Sequence, residues 1–177
     1  MITERLVLVP ITAARIDALL DLHQDAGIAA WYGGFWSRDD ATAFAMRMER
    51  RWREDRLGKW LAYDLTGSLV GRGGPTLMDD GAGGTAVEIG WAVRQAFWGH
   101  GYASEIGRAA IRFAMTVAPS HSIISFTERH NERSRAVMER LGMTYDAEIL
   151  RPGLVAGLDG VHDNAPFALY RLPSSTR

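Results

Sequence analysis

The chain has 177 residues, of which 47% are hydrophobic and 23% charged, values typical of one globular domain with a substantial core. Its formal net charge of -1 offers no basic field for nucleic acid, and the lack of cysteine excludes disulfides, thiolate metal sites and a cysteine nucleophile. No signal-peptide region opens the chain, and no apolar run is long enough to span a bilayer. We therefore expect one cytoplasmic domain over residues 1–177, with no membrane or nucleic-acid partner.

The first half of the chain alternates strand-like and helical patterns. Pro10 stops the first strand, and Thr12 and Ser37 are good residues to cap helices. The expected elements are a strand over 5–9, a helix from Thr12 through Leu22, an aromatic loop over 31–36, a helix that begins at Ser37, and two strands over 59–64 and 68–77 that form a hairpin.

The second half begins after a polar, glycine-rich connection from Asp79 to Gly84. The expected elements are a strand over 86–93, a helix after Gly101, a strand over 122–127, a helix over 131–141, and strands near 143–150 and 165–172 separated by a loop over 152–164. An antiparallel start followed by one strand-helix-strand crossover predicts an α+β fold with a mixed, mostly antiparallel sheet and flanking helices.

The most informative segment is the strand over 87–93, which runs into the turn Trp98-Gly99-His100-Gly101-Tyr102-Ala103 and then into a long amphipathic helix. Glycine allows the backbone to approach a ligand closely, and the first N–H groups of a helix are unpaired at the positive end of its dipole. The turn is therefore suited to hold an anion, usually a phosphate.

Several motifs together resemble the GNAT superfamily of acyl-CoA-dependent N-acyltransferases, most closely the branch of the ribosomal-protein N-terminal acetyltransferases. They are Glu88-Ile89-Gly90-Trp91 before the glycine turn, Asn131-Glu132-Arg133-Ser134 after a strand, Val137-Met138-Glu139-Arg140-Leu141-Gly142-Met143, and the opening Thr3-Glu4-Arg5-Leu6-Val7-Leu8. The resemblance implies the GNAT fold, with two strands splayed apart to form an acyl-CoA-binding cleft.

The resemblance also implies which residues bind acetyl-CoA as co-substrate. They are Ala92, Val93, Arg94, Trp98, Gly99, His100, Gly101, Tyr102, Ala103, Ser104, Asn131 and Ser134. Trp98 stands where the superfamily pattern has Arg or Gln, which need not abolish binding because most phosphate contacts are made by backbone N–H groups. Met138 stands where many members have a tyrosine that protonates the leaving thiolate, so Ser134 is the expected proton donor.

Three residues are expected to act in catalysis: Glu88, Ser134 and Val93. The resemblance implies that the backbone N–H of Val93 is the oxyanion donor, because members of the family have this strand splayed from its neighbour. Glu88, beside small residues on the same strand face, is a candidate general base that acts directly or through a water molecule. The alternative is that Glu88 is a surface or ion-paired residue. Without cysteine, direct attack by the amine is more natural than a covalent acyl-enzyme.

The acceptor is expected between two walls. Trp31, Tyr32 and Phe35 in the aromatic loop form one, although they could instead anchor the N-terminal helices, and the loop over 152–164 with His162 forms the other. The histidines lack metal-ligand spacing, so no metal is expected.

These residues favour an N-acetyltransferase that moves an acetyl group from acetyl-CoA to a primary amine, either a protein N-terminus or a small molecule. A homodimer is consistent with the branch. One alternative is a GNAT-fold module that binds CoA without turnover. A second, a dinucleotide-binding oxidoreductase, is disfavoured because a hairpin rather than a parallel strand-helix series precedes the glycine turn.

Overall fold

The framework of the protein is a seven-stranded sheet in a computed structural model that describes residues 1–79 and 84–173. Its strands are β1 (Leu6–Pro10), β2 (Trp60–Asp64), β3 (Leu69–Asp79), β4 (Thr85–Val93), β5 (Ser122–Glu128), β6 (Thr144–Leu154) and β7 (Val161–Arg171). Their spatial order is β1-β2-β3-β4-β5-β7-β6, and every neighbouring pair is antiparallel except β4 and β5. The predicted α+β class and mixed, mostly antiparallel sheet are confirmed.

Five helices flank the sheet in the described part of the chain: α1 (Ile16–Leu22), α2 (Ala26–Ala29), α3 (Arg38–Glu54), α4 (Tyr102–Val117) and α5 (Glu132–Arg140). The Ser37 cap of α3 is confirmed, since Ser37 and Asp40 bond each other's backbone N–H reciprocally. Thr12 was wrong as a side-chain cap, because it precedes a short 3₁₀ turn and makes no capping bond. The single-turn helix α2 was not predicted.

Helices cover both faces of the sheet, and the side chains of β4 point alternately to one face and to the other. Val87 and Ile89 belong to the core under α4, whereas Ala92 packs on the opposite face with the buried residues of α1 and α3. The predicted division of β4 into two faces is confirmed, because successive strand residues point to opposite sides. The β4 side chains that point into the cleft therefore lie on the face of the sheet that α1 and α3 cover.

The predicted loop over 152–164 is mostly strand. β6 extends to Leu154 and β7 begins at Val161, so only residues 155–160 connect them. Pro152 is tolerated in β6 because the pairing register shifts between Arg151 and Gly153. At this irregularity Pro152 does not have to donate a backbone hydrogen bond to the neighbouring strand, which it could not do without an N–H. The hairpin pairing thus overrides the local Pro and Gly signals. The predicted connection at 79–84 lies outside the described residues except at its two ends.

Strands β4 and β5 pair only over their first halves. The parallel pairs are Ala86 with Ser122, Val87 with Ile123, and Glu88 with Ile124. Just beyond, the Ser125 hydroxyl donates to the Ile89 carbonyl at 2.7 Å, and further along the two strands form no pair in the described structure. This separation confirms the predicted splayed cleft and fixes its position in the middle of the sheet.

Candidate active site

A cavity of about 1080 Å³ follows the gap between β4 and β5. One end is lined by the glycine turn and α5, and we call it the donor end. The other is lined by Lys59, Arg72, Glu88 and the aromatic loop, and we call it the acceptor end. The volume is at the upper limit of typical small-molecule sites, as expected for a cleft that holds two reactants.

The donor end is built on the turn before α4. Gly99 and Gly101 have φ angles of +79° and +80°, in the left-handed region that favours glycine. Gly101 is the N-cap of α4 and has no side chain to occupy the first N–H groups of the helix. The dipole of α4 and these N–H groups therefore face the cavity, as the phosphate-binding prediction requires.

The N-terminal segment holds this turn in position through hydrogen bonds and an ion pair. The Glu105 carboxylate accepts hydrogen bonds from the Thr3 hydroxyl at 2.6 Å and from the Arg5 backbone N–H at 2.8 Å, and it forms an ion pair with the Arg5 guanidinium. Arg5 also donates to the His100 carbonyl at 2.9 Å. Burial opposes ionisation of Glu105, but the bonds from Thr3 and Arg5 outweigh it and hold the pKa of that carboxyl below its ordinary value.

Arginines surround the donor end. Arg5, Arg108, Arg133 and Arg140 all line the cavity, and they come from the N-terminal segment, α4 and α5. Sequence reasoning missed them because only folding brings these segments together. Their charges complement a polyanionic donor such as CoA, and arginine suits phosphate because its planar donors bind two oxygens at once.

The edge of β4 that faces the gap carries unpaired backbone. The Arg94 N–H bonds to the Val70 carbonyl on β3 at 2.9 Å, so the preceding residue, Val93, directs its N–H and carbonyl away from β3. The Val93 carbonyl accepts from the Trp98 indole at 2.7 Å. Trp98 thus closes the turn against β4 and leaves the Val93 N–H facing the gap.

Glu88 lies at the acceptor end in an ion pair. Its Oε2 accepts from the Lys59 ammonium at 2.6 Å and from the Thr76 hydroxyl at 2.9 Å, with the side chains of Lys59 and Glu88 8% and 15% exposed. Oε1 has no partner in the described chain and lies over Gly90, where any Cβ would displace it. Burial lowers the pKa of the Lys59 ammonium, and the Glu88 carboxylate offsets part of that shift.

A second carboxylate lines the acceptor end. Glu128 ends β5, is buried, and has no basic partner among the residues that the structure describes. Among the described residues, its carboxylate accepts one side-chain hydrogen bond, from the Thr127 hydroxyl, and that bond is long at 3.4 Å. Two carboxylates, one paired and one unpaired, therefore stand on the two strands that border the gap.

The start of α5 places Asn131 and Ser134 beside the cavity. The Asn131 Oδ1 accepts from the Ser134 N–H at 3.1 Å, so Asn131 caps the helix. The Ser134 hydroxyl has no hydrogen-bond partner in the described structure and lines the cavity. The buried Met138 lines the cavity one turn later.

Most expected site residues line the cavity, including Trp31 and Tyr32, but four do not. Arg94 turns to α1 and pairs with Asp21. The His100 ring bonds to the Trp98 carbonyl, so only its backbone belongs to the turn. Phe35 is 62% exposed, and His162 bonds to the carbonyl of Asp159. The expectation for these four residues rested on their sequence position next to a turn or loop, which does not determine where a side chain points.

The described residues contain no cluster of three histidine, cysteine or acidic side chains that could hold a metal ion. Within the same ranges, no helix has both the length and the apolar character needed to cross a membrane.

Comparison with known proteins agrees with this geometry. The family model of the acetyltransferase (GNAT) domain matches residues 5–144. The chain belongs to the GNAT acetyltransferase family. The match covers β1 through α5, and so includes the glycine turn, the splayed strands and both carboxylates.

Individual relatives of this GNAT protein are distant. It is 25% identical to the uncharacterized protein YkkB of Bacillus subtilis over 131 residues, 72% of this chain and 74% of the relative. A Bordetella pertussis structure described as a GnaT-family acetyltransferase superposes with a TM-score of 0.79, 23% identity and 98% coverage of each chain. RimL, a ribosomal L7/L12 α-N-protein acetyltransferase solved with coenzyme A, superposes with a TM-score of 0.75 at 15% identity, covering 97% and 95%. The likeness to the ribosomal-protein acetyltransferase branch is one of fold.

Proposed function

We propose that this GNAT protein moves an acetyl group from acetyl-CoA to a primary amine by direct attack. The observation that carries the proposal is the gap between β4 and β5, which joins a phosphate-type turn to a buried, charged acceptor end in one cavity. Both reactants can therefore reach the same unpaired stretch of β4, and alignment of two reactants supplies a large part of such a catalytic effect.

The donor end fits acetyl-CoA through backbone N–H groups and arginine side chains. Backbone N–H groups after Gly101 and the arginines of the donor end would hold the phosphates. The pantetheine arm would run along the gap, beside the unpaired edge of β4. The Val93 N–H faces that gap and would donate to the thioester oxygen as negative charge develops on it.

The chemical step is a transfer of an acyl group from sulfur to nitrogen. The neutral amine attacks the thioester carbon, the C–S bond breaks and an amide forms. The amine gives up one proton to a base, and the CoA thiolate takes one proton from an acid. Ser134, whose hydroxyl lines the cavity without another partner, is the proposed acid, since Met138 cannot donate a proton.

Glu88 is the proposed base, acting through its unpaired Oε1. The Lys59 ammonium holds Oε2 at 2.6 Å and fixes the orientation of the carboxylate, which leaves Oε1 to accept the proton that the amine gives up. Glu128 is the alternative base, because it is ionisable, buried and free of a cationic partner in the described chain.

A thiol-release assay with acetyl-CoA and a panel of peptides, amino acids and polyamines tests the proposal. We expect release of free CoA that depends on one class of amine, with the acetylated amine identified by mass. Binding of acetyl-CoA without release for any amine would instead favour a non-catalytic CoA-binding module, a reading that Met138 supports. Failure to bind acetyl-CoA would overturn both.

A further inference from the structure

Arg72 is a buried cation that the proposed chemistry does not use. It lies on β3 opposite Ala92 of β4 and is 4% exposed. Its Nε donates to the Nε2 of His23 at 2.9 Å. Burial and the charge of Arg72 lower the pKa of His23 to about 2, so His23 is a neutral acceptor. This bond satisfies one nitrogen of Arg72 but supplies no counter-charge.

Aromatic rings surround the guanidinium without offering an acceptor. The Cζ of Arg72 lies 4.5 Å from the centre of the Phe44 ring, 5.0 Å from that of Tyr32 and 5.5 Å from that of Trp36. Cation–π contacts stabilise the charge but leave the terminal N–H groups unbonded.

Arg72 has two terminal nitrogens besides the Nε that donates to His23. They have no hydrogen-bond partner within residues 1–79 and 84–173, yet they are not among the buried nitrogens cut off from solvent. Arg72 itself contributes to the cavity lining. A guanidinium that presents two unused donors to a cavity is suited to bind a carboxylate through both of its oxygens.

Glu128 is the complementary unpaired charge of the acceptor end. The register that pairs Glu88 with Ile124, continued four residues along both strands, puts Glu128 level with Ala92 and hence with Arg72, on the same face of the sheet. Two strand spacings keep the Cα atoms of Arg72 and Glu128 at least about 10 Å apart, and the splay of β5 adds to this. Within residues 1–79 and 84–173, the two side chains form no ion pair with each other.

The remaining charges of the acceptor end neutralise each other, because Lys59 and Glu88 form an ion pair. We propose that the acceptor is an amino carboxylate, whose carboxylate binds Arg72 and whose amine lies between Glu88 and Glu128 at the gap. This inference rests on the proposed N-acetyl transfer and names its substrate class. A polyamine lacks the anion that Arg72 requires, and would place an additional cation beside Arg72 and Lys59.

The test compares free amino acids with their own C-terminal amides, with spermidine as an amine without any carboxylate. In the thiol-release assay, we expect kcat/KM for the best amino acid to exceed that for its amide by at least about a hundredfold, since the amide leaves Arg72 unpaired. Equal use of acid and amide, or a preference for spermidine, would overturn the proposal without any variant.

The Arg72→Gln variant tests whether Arg72 causes the preference for the free amino acid over its amide. We expect the KM for the amino acid to rise about a hundredfold and the acid-to-amide ratio to fall toward one, with the KM for acetyl-CoA unchanged. Arg47→Gln is the matched control, because Arg47 also lies over the Phe44 ring, at 5.0 Å, but does not line the cavity. An Arg72→Gln protein that folds and keeps the wild-type ratio contradicts the assignment.

The carboxylate site at Arg72 can also be tested if the acetyl-transfer proposal fails. If no amine releases thiol, titration calorimetry of the same acids and amides into the CoA-bound protein replaces the kinetic readout. Tighter binding of the acid, lost in Arg72→Gln, would support the carboxylate site alone. Equal binding, or none, would overturn it.

Discussion

The donor and acceptor ends of the cavity are built differently, and we propose that they bind their ligands by different means. The donor end relies on backbone groups of the turn at Gly99 and Gly101, with arginines around its rim. The acceptor end contains charged side chains from neighbouring strands, above all the buried Lys59 and Arg72 and the partly buried Glu88. Backbone recognition tolerates side-chain change, so Trp98 in the usual Arg or Gln position is compatible with the proposed phosphate turn. Recognition by buried charges does not, because removal of one partner leaves the other unpaired.

The largest expected effect comes from the acceptor end. Glu88→Gln should lower turnover near neutral pH about a thousandfold, because it removes the proposed base, and should recover partly at higher pH where free amine becomes abundant. The measurement is the pH–rate profile at saturating acetyl-CoA. Glu128→Gln is the control, since it makes the same change across the gap and should alter the acceptor KM more than the profile. If wild type and Glu88→Gln give superimposable pH–rate profiles, Glu88 is not the base, and Glu128 becomes the proposed base.

Lys59→Met tests the stability of the same end. It leaves the Glu88 carboxylate without its cation in a mostly buried site, so we expect the free energy of unfolding in denaturant to fall by about 3 kcal/mol. The double variant with Glu88→Gln should recover most of that loss. Arg38→Met breaks the exposed pair with Asp17 and should leave stability almost unchanged. Equal effects of Lys59→Met and Arg38→Met would show that burial of the pair contributes nothing.

Ser134→Ala tests the proposed acid at the start of α5, in the donor end. It removes an unbonded hydroxyl but keeps the N–H that Asn131 caps, so α5 should remain intact. We expect turnover to fall on the order of a hundredfold, with the affinity for acetyl-CoA little changed. Single-turnover rates and acetyl-CoA titration separate the two quantities. Preserved turnover would mean that water or another side chain protonates the thiolate.

Gly101→Val tests backbone recognition at the donor end. A branched residue disfavours the left-handed φ of +80°, so the turn should shift and acetyl-CoA affinity should fall at least about tenfold, or about 1.4 kcal/mol. Gly67→Val is the matched control, because Gly67 has a φ of +87° in the β2–β3 turn with open space around it. If both variants bind acetyl-CoA like the wild type, the phosphate-turn assignment is wrong.

His23 gives the smallest effect, and it depends on pH. The unfolded chain protonates His23 below about pH 6.5, whereas the folded protein keeps it neutral down to about pH 2, so the unfolded state binds more protons in that window. Stability should therefore fall by about 1 kcal/mol between about pH 6.5 and pH 5.5 from this residue. His23→Gln, which can still accept from Arg72, should show a flatter dependence. Parallel wild-type and variant curves would contradict a buried neutral His23.

The sequence predicted the elements whose signals are local. The alternation of β4, the capping box at Ser37 and the glycines before α4 each depend on residues a few positions apart, and the structure agrees with them. The predicted strands that correspond to β6 and β7 were too short, because Pro152 and Gly153 look like loop residues until the partner strand is known. Trp31 and Tyr32 line the cavity, whereas Phe35 beside them points to solvent.

By itself, the sequence determined the fold class, the family resemblance and the donor turn, since repeating side-chain patterns and glycine geometry act over short stretches of chain. Only the tertiary structure decided that Glu88 is paired with Lys59, that Arg5 and Glu105 hold the turn, and that Arg72 donates to His23 while neither it nor Glu128 has an ion-pair partner in the described chain. These contacts join residues from about 30 to 100 positions apart in the chain. Charge pairing depends on which side chains share a buried space, and that is fixed by strand order and register rather than by neighbours in sequence.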